Sequence, residues 1–167
     1  MTPADPAALQ AARDALRARL AVHLGAPLTE LHGTLQETGE FSVSAEAAGR
    51  RALRNAALAM LMADPRHETI ERARGHYLAA ANMTDAMGGL SALMLIGGAA
   101  FDEALAHFYD RWRDEPLVVD KWFSVQAQTP AADAIDRVTA LTRHPAFDPR
   151  TPHRLRGLVG AFPSGNP

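Results

Sequence analysis

The chain has 167 residues, of which 47% are hydrophobic and 22% charged, and its formal net charge is -2 at pH 7. This composition is typical of a folded globular protein, and the length suits one domain spanning residues 1–167. The balanced charge gives no basic surface for nucleic acid or for an anionic membrane. The lack of cysteine excludes disulfides, thiolate metal sites and a cysteine nucleophile.

The sequence predicts neither a membrane span nor a secretion signal. The longest apolar run, residues 86–101, is bounded by aspartates and contains four glycines, so it is too short to cross a bilayer. The residues after Met1 are polar and lack the apolar core of a signal peptide. We therefore expect a cytoplasmic protein with no nucleic-acid and no membrane partner.

A polar residue followed by proline recurs along the chain and predicts helix starts. The pairs are Asp5-Pro6, Asp64-Pro65, Glu115-Pro116, Thr129-Pro130, Thr151-Pro152 and Asn166-Pro167. Asp, Thr and Asn cap helices well, and proline at the first helical position loses no needed hydrogen bond. Alternating strand patterns are close to absent, so the chain is predicted to be all-α.

Five helices are predicted in the first part of the chain. The first runs from about Pro6 to Leu24, ends at Gly25 and turns four leucines inward, namely Leu9, Leu16, Leu20 and Leu24. A short helix follows over about 27–37. The next three begin at a Ser44 cap, at Pro65 and at a Thr84 cap. Gly88 and Gly89 in the last of these suggest that another helix approaches its backbone closely.

Four more helices are predicted in the second part, over about 101–112, 116–128, 130–143 and 152–162. Short connections between about nine helices imply antiparallel neighbours that stack on one another. The predicted fold is therefore an irregular HEAT/armadillo-like α-α superhelix.

The helix over 117–128 has the widest apolar arc in the chain. At ~100° per residue, its apolar side chains cover roughly 200° of the helix surface, so the helix should be covered on two sides. Gln126 points into the middle of this arc and would need hydrogen-bond partners there. Asp120 and Lys121 share the narrow polar face, where we expect an ion pair.

No complete catalytic or metal-binding motif is present. His67 and Glu68 begin like the zinc motif HExxH, but Glu71 stands where the second histidine is needed, so they are interpreted as residues of a first helical turn. The sequence has no nucleophile elbow, phosphate loop or dinucleotide fingerprint. His23, His32, His107 and His144 are interpreted as solvated or helix-end residues, and the aromatic residues around Trp122 as core.

Arg154 and Arg156 are the best candidate site residues. They flank a helix whose small and apolar residues predict contacts on two faces, and paired arginines in such a place suit a carboxylate. That carboxylate could belong either to the protein or to a substrate.

Several segments resemble the C-terminal helical domain of the bacterial aminopeptidase N family, which are zinc metallopeptidases of the gluzincin type. They are RALRNA at 51–56, NMTD at 82–85, LSAL at 90–93, LVVDKWF at 117–123, RLRGLVGAF at 154–162 and the final Asn-Pro. They occur in order from Arg51 to the end, whereas residues 1–43 match the family less well.

The resemblance implies a domain without catalysis of its own. The family's zinc ligands, its amine-binding Gly-Ala-Met-Glu-Asn motif and its tyrosine lie in an earlier domain, so Zn²⁺ would be bound there and the cofactor of this chain is none. The helical domain would close over the catalytic domain of the same polypeptide and restrict access to short peptides. Arg156, and with less support Arg154, would line the substrate cavity. Because the family domain continues past the final Asn-Pro, the chain is expected to be a truncated fragment.

Two other functions remain open. A stand-alone helical-repeat scaffold could bind another protein through a groove. An independent enzyme would need a metal or nucleophile set that the sequence does not show.

Overall fold

A computed structural model describes residues 5–166 of the chain. These residues contain helices and no strands, which confirms the predicted all-α class. The α-helices are α1 Pro6–Thr34, α2 Ala45–Leu61, α3 His67–Leu78, α4 Met83–Met94, α5 Gly98–Trp112, α6 Pro116–Ala127, α7 Ala134–Leu141, α8 Pro152–Leu155 and α9 Ala161–Gly165. A π-helical segment, Arg156–Gly160, joins α8 to α9. The chain divides into two compact units, the first ending at Leu93 and the second beginning at Met94.

In the first unit, α1 packs along α2, and side-chain caps fix the start of each helix. The Asp5 carboxylate accepts a hydrogen bond from the backbone N–H of Ala8 at 3.1 Å, and the Ser44 hydroxyl accepts one from Ala47 at 3.2 Å. Both caps agree with the sequence prediction, because each satisfies an N–H that has no partner within its helix.

The predicted break at Gly25 is wrong, because α1 continues through Pro27 to Thr34. A proline inside a helix removes one hydrogen bond, but contacts on both sides hold this helix in place. Arg17 donates to the carbonyl of Ala59 at 3.4 Å before Pro27, and His32 binds His76 after it.

The inward orientation predicted for the α1 leucines is also wrong. These side chains are exposed by 36–63%, and the set is Leu9, Leu16, Leu20 and Leu24. The buried residues of α1 are Ala21 and His32, which lie on a different face. The first unit therefore presents an apolar helix face, which we call the leucine face.

Helices α3 and α4 meet at a close backbone contact. A Cβ atom built on Gly89 would lie 2.7 Å from the backbone nitrogen of Tyr77, so only glycine allows this approach. This agrees with the contact predicted from the glycine pair.

Two helix starts differ from prediction, since α3 begins at His67 rather than Pro65 and Asn82 rather than Thr84 caps α4. The Asn82 side chain accepts from the Asp85 N–H at 2.9 Å.

Helix α6 lies at the centre of the second unit and packs against α5, α7 and the π-helical segment. Most of its wide apolar arc is buried as predicted and Phe123 is fully buried, but Leu117 in the first turn is 72% exposed. Gln126 is also buried, and its side-chain amide donates to the carbonyl of Trp122 at 3.1 Å. A Cβ built on Gly157 would lie 3.0 Å from the carbonyl oxygen of Asp120, so glycine lets the last helical segment lie directly on α6.

The last two predicted helices have different boundaries. Helix α7 begins at Ala134, so Pro130 does not start it. The predicted helix over 152–162 forms as a helical segment that continues to Gly165 and contains the π turn at Arg156–Gly160. A π turn inserts one extra residue and changes which side chains face the core beyond it.

Candidate functional site

Arg154 is held by the second unit itself. Its side chain is buried in α8, and its guanidinium donates to the Asp120 carboxylate and to the backbone carbonyl of Ala146. It also donates to the carbonyl of Pro116 at 3.2 Å, and its carbon lies 5.3 Å from the centre of the Phe123 ring. This arginine thus connects α8 to the first part of α6 and to the loop before α8.

Arg156 lies two residues further along and is exposed. Residues two positions apart on a helix point in nearly opposite directions. The structure therefore does not bring the two arginines to one site. A role in a substrate cavity stays a prediction for both residues, and the geometry favours Arg156, because Arg154 already serves a carboxylate of the protein.

The ion pair predicted between Asp120 and Lys121 is replaced by the pair between Asp120 and Arg154. Adjacent residues of a helix do not face each other, whereas Arg154 reaches Asp120 from a neighbouring helix. Lys121 is exposed.

The near-match to a zinc motif does not form a metal site. His67 and Glu68 are exposed in the first turn of α3, as expected. Within residues 5–166, no group of three histidine, aspartate or glutamate side chains is arranged to hold a metal ion.

No helix among these residues is long and apolar enough to cross a membrane.

A buried polar cluster in the first unit escaped the sequence analysis. Each of the four helices contributes one buried side chain, and we call the set the four-helix cluster: His32 from α1, Arg54 from α2, His76 from α3 and Asp85 from α4. His32 Nε2 and His76 Nδ1 share a hydrogen bond of 2.9 Å. Arg54 donates to Asp85 Oδ2 at 3.5 Å and to the His32 carbonyl at 3.3 Å. Of the two interpretations of His32, the helix-end one is correct, because it lies in the last turn of α1, whereas the solvated one is wrong.

Both imidazoles of the four-helix cluster are neutral at pH 7. Burial, followed by the positive charge of Arg54, lowers the pKa of His76 to about 4. Burial, again the largest cause, together with Arg54, His76 and Arg72, lowers the pKa of His32 to about 4. Asp85 opposes these shifts in both rings.

His144, interpreted as a solvated or helix-end residue, lies just after the end of α7 and is not fully solvated. It is half-buried, and its ring lies 5.1 Å from Tyr109 and 5.2 Å from Trp122, measured between ring centres. Burial, followed by the charge of Arg154, lowers its pKa. The expected aromatic core is confirmed for Phe108, Trp122 and Phe123, which are buried, whereas Trp112, expected in the same core, is only half-buried.

Comparison with known proteins gives one family for the whole chain. A family model described as a domain of unknown function (DUF3458_C) with ARM repeats matches residues 1–167. The predicted armadillo-like fold class is confirmed by this match.

Several relatives of the chain are bacterial aminopeptidases. The chain is 57% identical to aminopeptidase N of Caulobacter vibrioides over 98% of its own length and 19% of the relative, and 35% identical to aminopeptidase N of Escherichia coli over 98% and 19%. A crystal structure of Legionella pneumophila aminopeptidase A in complex with aspartic acid superposes with a TM-score of 0.86 at 29% identity, covering 97% of this chain and 20% of that one. The chain thus spans about a fifth of the length of the relatives it matches. It belongs to the DUF3458_C ARM-repeat family and corresponds to the C-terminal helical domain of aminopeptidase N.

Proposed function

We propose that this chain is the non-catalytic C-terminal helical domain of a zinc-dependent aminopeptidase N. The observation that carries the proposal is the 57% identity to such a protein over 98% of the chain but only 19% of the relative. Most of the relative therefore lies outside the match, and the catalytic domain of the same polypeptide would belong there. The domain extends over residues 1–167, and a cytoplasmic location, which the lack of cysteine supports, is part of the proposal.

The residues of this chain do not fit the zinc ion of such an enzyme. Catalytic zinc needs three protein ligands around one open position, and residues 5–166 offer no such group. The metal would be bound elsewhere in the polypeptide, and this domain would act by covering the active-site cavity and limiting entry to short peptides.

The leucine face of α1 supports contact with the rest of the polypeptide. Four leucines on one side of the helix are exposed by 36–63%. A contiguous apolar surface of this kind usually marks a region that another protein surface covers. The same face would also suit the second candidate function, a stand-alone scaffold that binds another protein. Reading the gene upstream of this region distinguishes the two, because only an aminopeptidase would encode HExxH there.

Arg156 is the residue proposed to meet the substrate. An exposed guanidinium offers two parallel N–H donors that match a carboxylate, and a short peptide carries one at its C-terminus. Arg156 would therefore bind the peptide end opposite to the amine at which the enzyme cleaves.

The test replaces Arg156 by Ala in the full-length aminopeptidase that contains this domain. We expect kcat/KM for a tripeptide with a free carboxylate to fall about 10-fold or more, which is the loss of a charge-assisted hydrogen bond. The same tripeptide as a C-terminal amide should be affected much less. Arg143→Ala, which removes another exposed arginine of the second unit, is the matched control. Equal effects on both peptides, or none, would leave Arg156 without a role in substrate binding.

A further inference from the structure

His32 and His76 join two helices of the first unit through a hydrogen bond between their rings. His32 lies in the last turn of α1 and His76 in the last turn of α3, and the two residues are 5% and 4% exposed. His32 Nε2 lies 2.9 Å from His76 Nδ1. A neutral imidazole has one N–H donor and one acceptor nitrogen, so one of these two atoms carries a proton and the other does not. Which ring donates decides how the pair responds to acid.

The Asp85 carboxylate determines which ring donates. Its Oδ1 lies 3.8 Å from His76 Nε2, and within residues 5–166 neither atom, nor His32 Nδ1, has a hydrogen-bond partner. If His76 Nδ1 donated, the lone pair of His76 Nε2 would face a carboxylate oxygen, and His32 Nδ1 would be a buried N–H without an acceptor. Both consequences are unfavourable, because like partial charges repel and a buried, unpaired N–H is costly. His32 Nε2 is therefore the donor, and at neutral pH both rings carry their proton on Nε2.

This arrangement leaves His32 Nδ1 as the nitrogen that can accept a further proton, because His76 Nδ1 already accepts the bond between the rings. A proton that binds to His32 Nδ1 forms a new N–H bond there. The shared proton then moves along the hydrogen bond, which breaks the N–H bond at His32 Nε2 and forms one at His76 Nδ1. His32 ends neutral with its proton on Nδ1, and His76 ends as an imidazolium.

The charges around the pair place the added positive charge on His76. The charged groups that face the rings are Arg54 from α2, Arg72 from α3 and Asp85 from α4. Burial is the largest cause of the lowered pKa of each ring, Arg54 lowers the pKa of both further, and Arg72 lowers that of His32. An imidazolium at His76 lies 3.8 Å from Asp85 Oδ1, which is ion-pair distance, while Arg54 contacts the other oxygen, Oδ2.

Glu37, in the segment after α1, is the other acidic residue near His76, since both line one small cavity. Its carboxylate is paired with Arg51 at 2.8 Å. Because that charge is compensated, Asp85 is the anion that stabilises the imidazolium.

A second proton is incompatible with the joined rings. In two imidazolium rings all four nitrogens carry protons, so His32 Nε2–H and His76 Nδ1–H would point at each other across 2.9 Å. The hydrogen bond would be lost, and two like charges would lie side by side in a buried site next to Arg54. The contact between α1 and α3 would therefore have to open.

We propose that His32 and His76 form an acid-sensitive latch between α1 and α3. The latch takes up one proton, carries the charge on His76 beside Asp85, and opens when a second proton binds. The two histidines of the first unit thus respond to acid as one coupled group.

Nitrogen NMR of the isotope-labelled wild-type chain tests the arrangement at pH 7. We expect both rings to carry their proton on Nε2, and we expect a scalar coupling across the hydrogen bond between His32 Nε2 and His76 Nδ1. Exposed His67 is the control and should show no such coupling. A proton on His76 Nδ1, or no coupling between the rings, would overturn the proposal.

An acid titration of the same sample tests the uptake of one proton. His76 should gain its second ring proton at the same midpoint at which the His32 proton moves from Nε2 to Nδ1. At lower pH the coupling and the native signals of the last turn of α1 should disappear together. The latch would be contradicted by two different midpoints, by an imidazolium at His32, by two imidazolium rings in the folded chain, or by unfolding while both rings are neutral.

Asp85→Asn tests which group stabilises the charge. The variant keeps the shape of the side chain but removes its negative charge, so the shared midpoint should fall by about one pH unit or more. Asp102→Asn, which removes an exposed carboxylate of the second unit, is the control and should leave the midpoint unchanged. Equal midpoints in the two variants would refute Asp85 as the partner of the charge. Should Asp85→Asn fail to fold, the wild-type measurements decide.

Discussion

Arg154 illustrates how a buried charge is stabilised only by a full set of partners. Its guanidinium meets a carboxylate, two backbone carbonyls and an aromatic face, all within the second unit. Removing one partner of a buried ion pair is costly because the other charge then stays buried without compensation. The structure thus makes Arg154 a residue of the scaffold.

We therefore predict that Arg154→Ala lowers the free energy of unfolding by about 3–5 kcal/mol, the usual loss for one member of a buried pair. Urea denaturation followed by circular dichroism measures it. Arg156→Ala is the matched control and should change the free energy by no more than about 0.5 kcal/mol, since Arg156 is exposed. Similar losses in the two variants would contradict the assignment.

The histidines of the four-helix cluster predict a dependence of stability on pH. Their folded pKa values of about 4 lie below the ordinary value of 6.5, so the unfolded chain binds protons that the folded chain does not. The free energy of unfolding should therefore fall as the pH drops from about 6.5 to about 4. The loss is on the order of 3 kcal/mol per imidazole at most. Denaturant titrations at a series of pH values measure this slope.

Two variants test whether the histidines of the four-helix cluster cause the loss of stability at low pH. His32→Gln removes one titrating ring and should flatten the slope between pH 6.5 and 4. His67→Gln removes an exposed ring and should leave the slope unchanged. A slope that responds to neither substitution would mean that other groups control acid unfolding.

The sequence allowed some buried polar residues to be predicted but not others. Gln126 was predicted because its helix is apolar on both sides of it, so burial followed from its position alone. Arg54, His76 and Asp85 lie on helices with polar surfaces, where such residues are usually solvated. Their burial depends on four helices meeting at one place, and the order of residues along the chain does not encode that meeting in any local pattern.

At the scale of helices, the close backbone contact between α3 and α4 can be tested by replacing single glycines. Gly89→Ala would place a methyl group 2.7 Å from the Tyr77 backbone, and overpacking of this kind costs about 1–3 kcal/mol. Gly75→Ala on α3 is the matched control, because no atom lies within 4 Å of its Cβ position. It should instead stabilise by about 0.5–1 kcal/mol, since alanine favours helix. Thermal unfolding compares the two, and equal signs would contradict the close contact.

Some helices start where the sequence predicts with a side-chain cap and others without one, because α6 and α8 begin at the predicted prolines but have no side-chain cap hydrogen bond. Asp5 and Ser44 accept hydrogen bonds from their helices as expected. Asp64-Pro65 lies in the connection just before α3, Thr129-Pro130 precedes a bend and a turn, and Pro27 lies inside α1. A proline fixes one backbone angle, but packing on either side decides whether the helix continues. The orientation of the leucine face depends likewise on where α2 packs.

At the scale of the whole molecule, we propose that this chain is a helical scaffold within an enzyme whose chemistry lies elsewhere in the polypeptide. The family and its ARM-like fold could be predicted from short sequence segments, and two of these, 117–123 and 154–162, form most of α6 and of the last helical segment. The position of Arg156 relative to a substrate could not be predicted from the sequence, because it depends on parts of the polypeptide outside this chain.

The central claim is that this domain has no catalysis of its own. The most direct test incubates the pure 167-residue chain with zinc and an aminoacyl amide, and measures both amine release and bound metal. We predict no turnover and no stoichiometric zinc. Turnover that co-purifies with the chain, disappears with a chelator and returns with zinc would contradict the account.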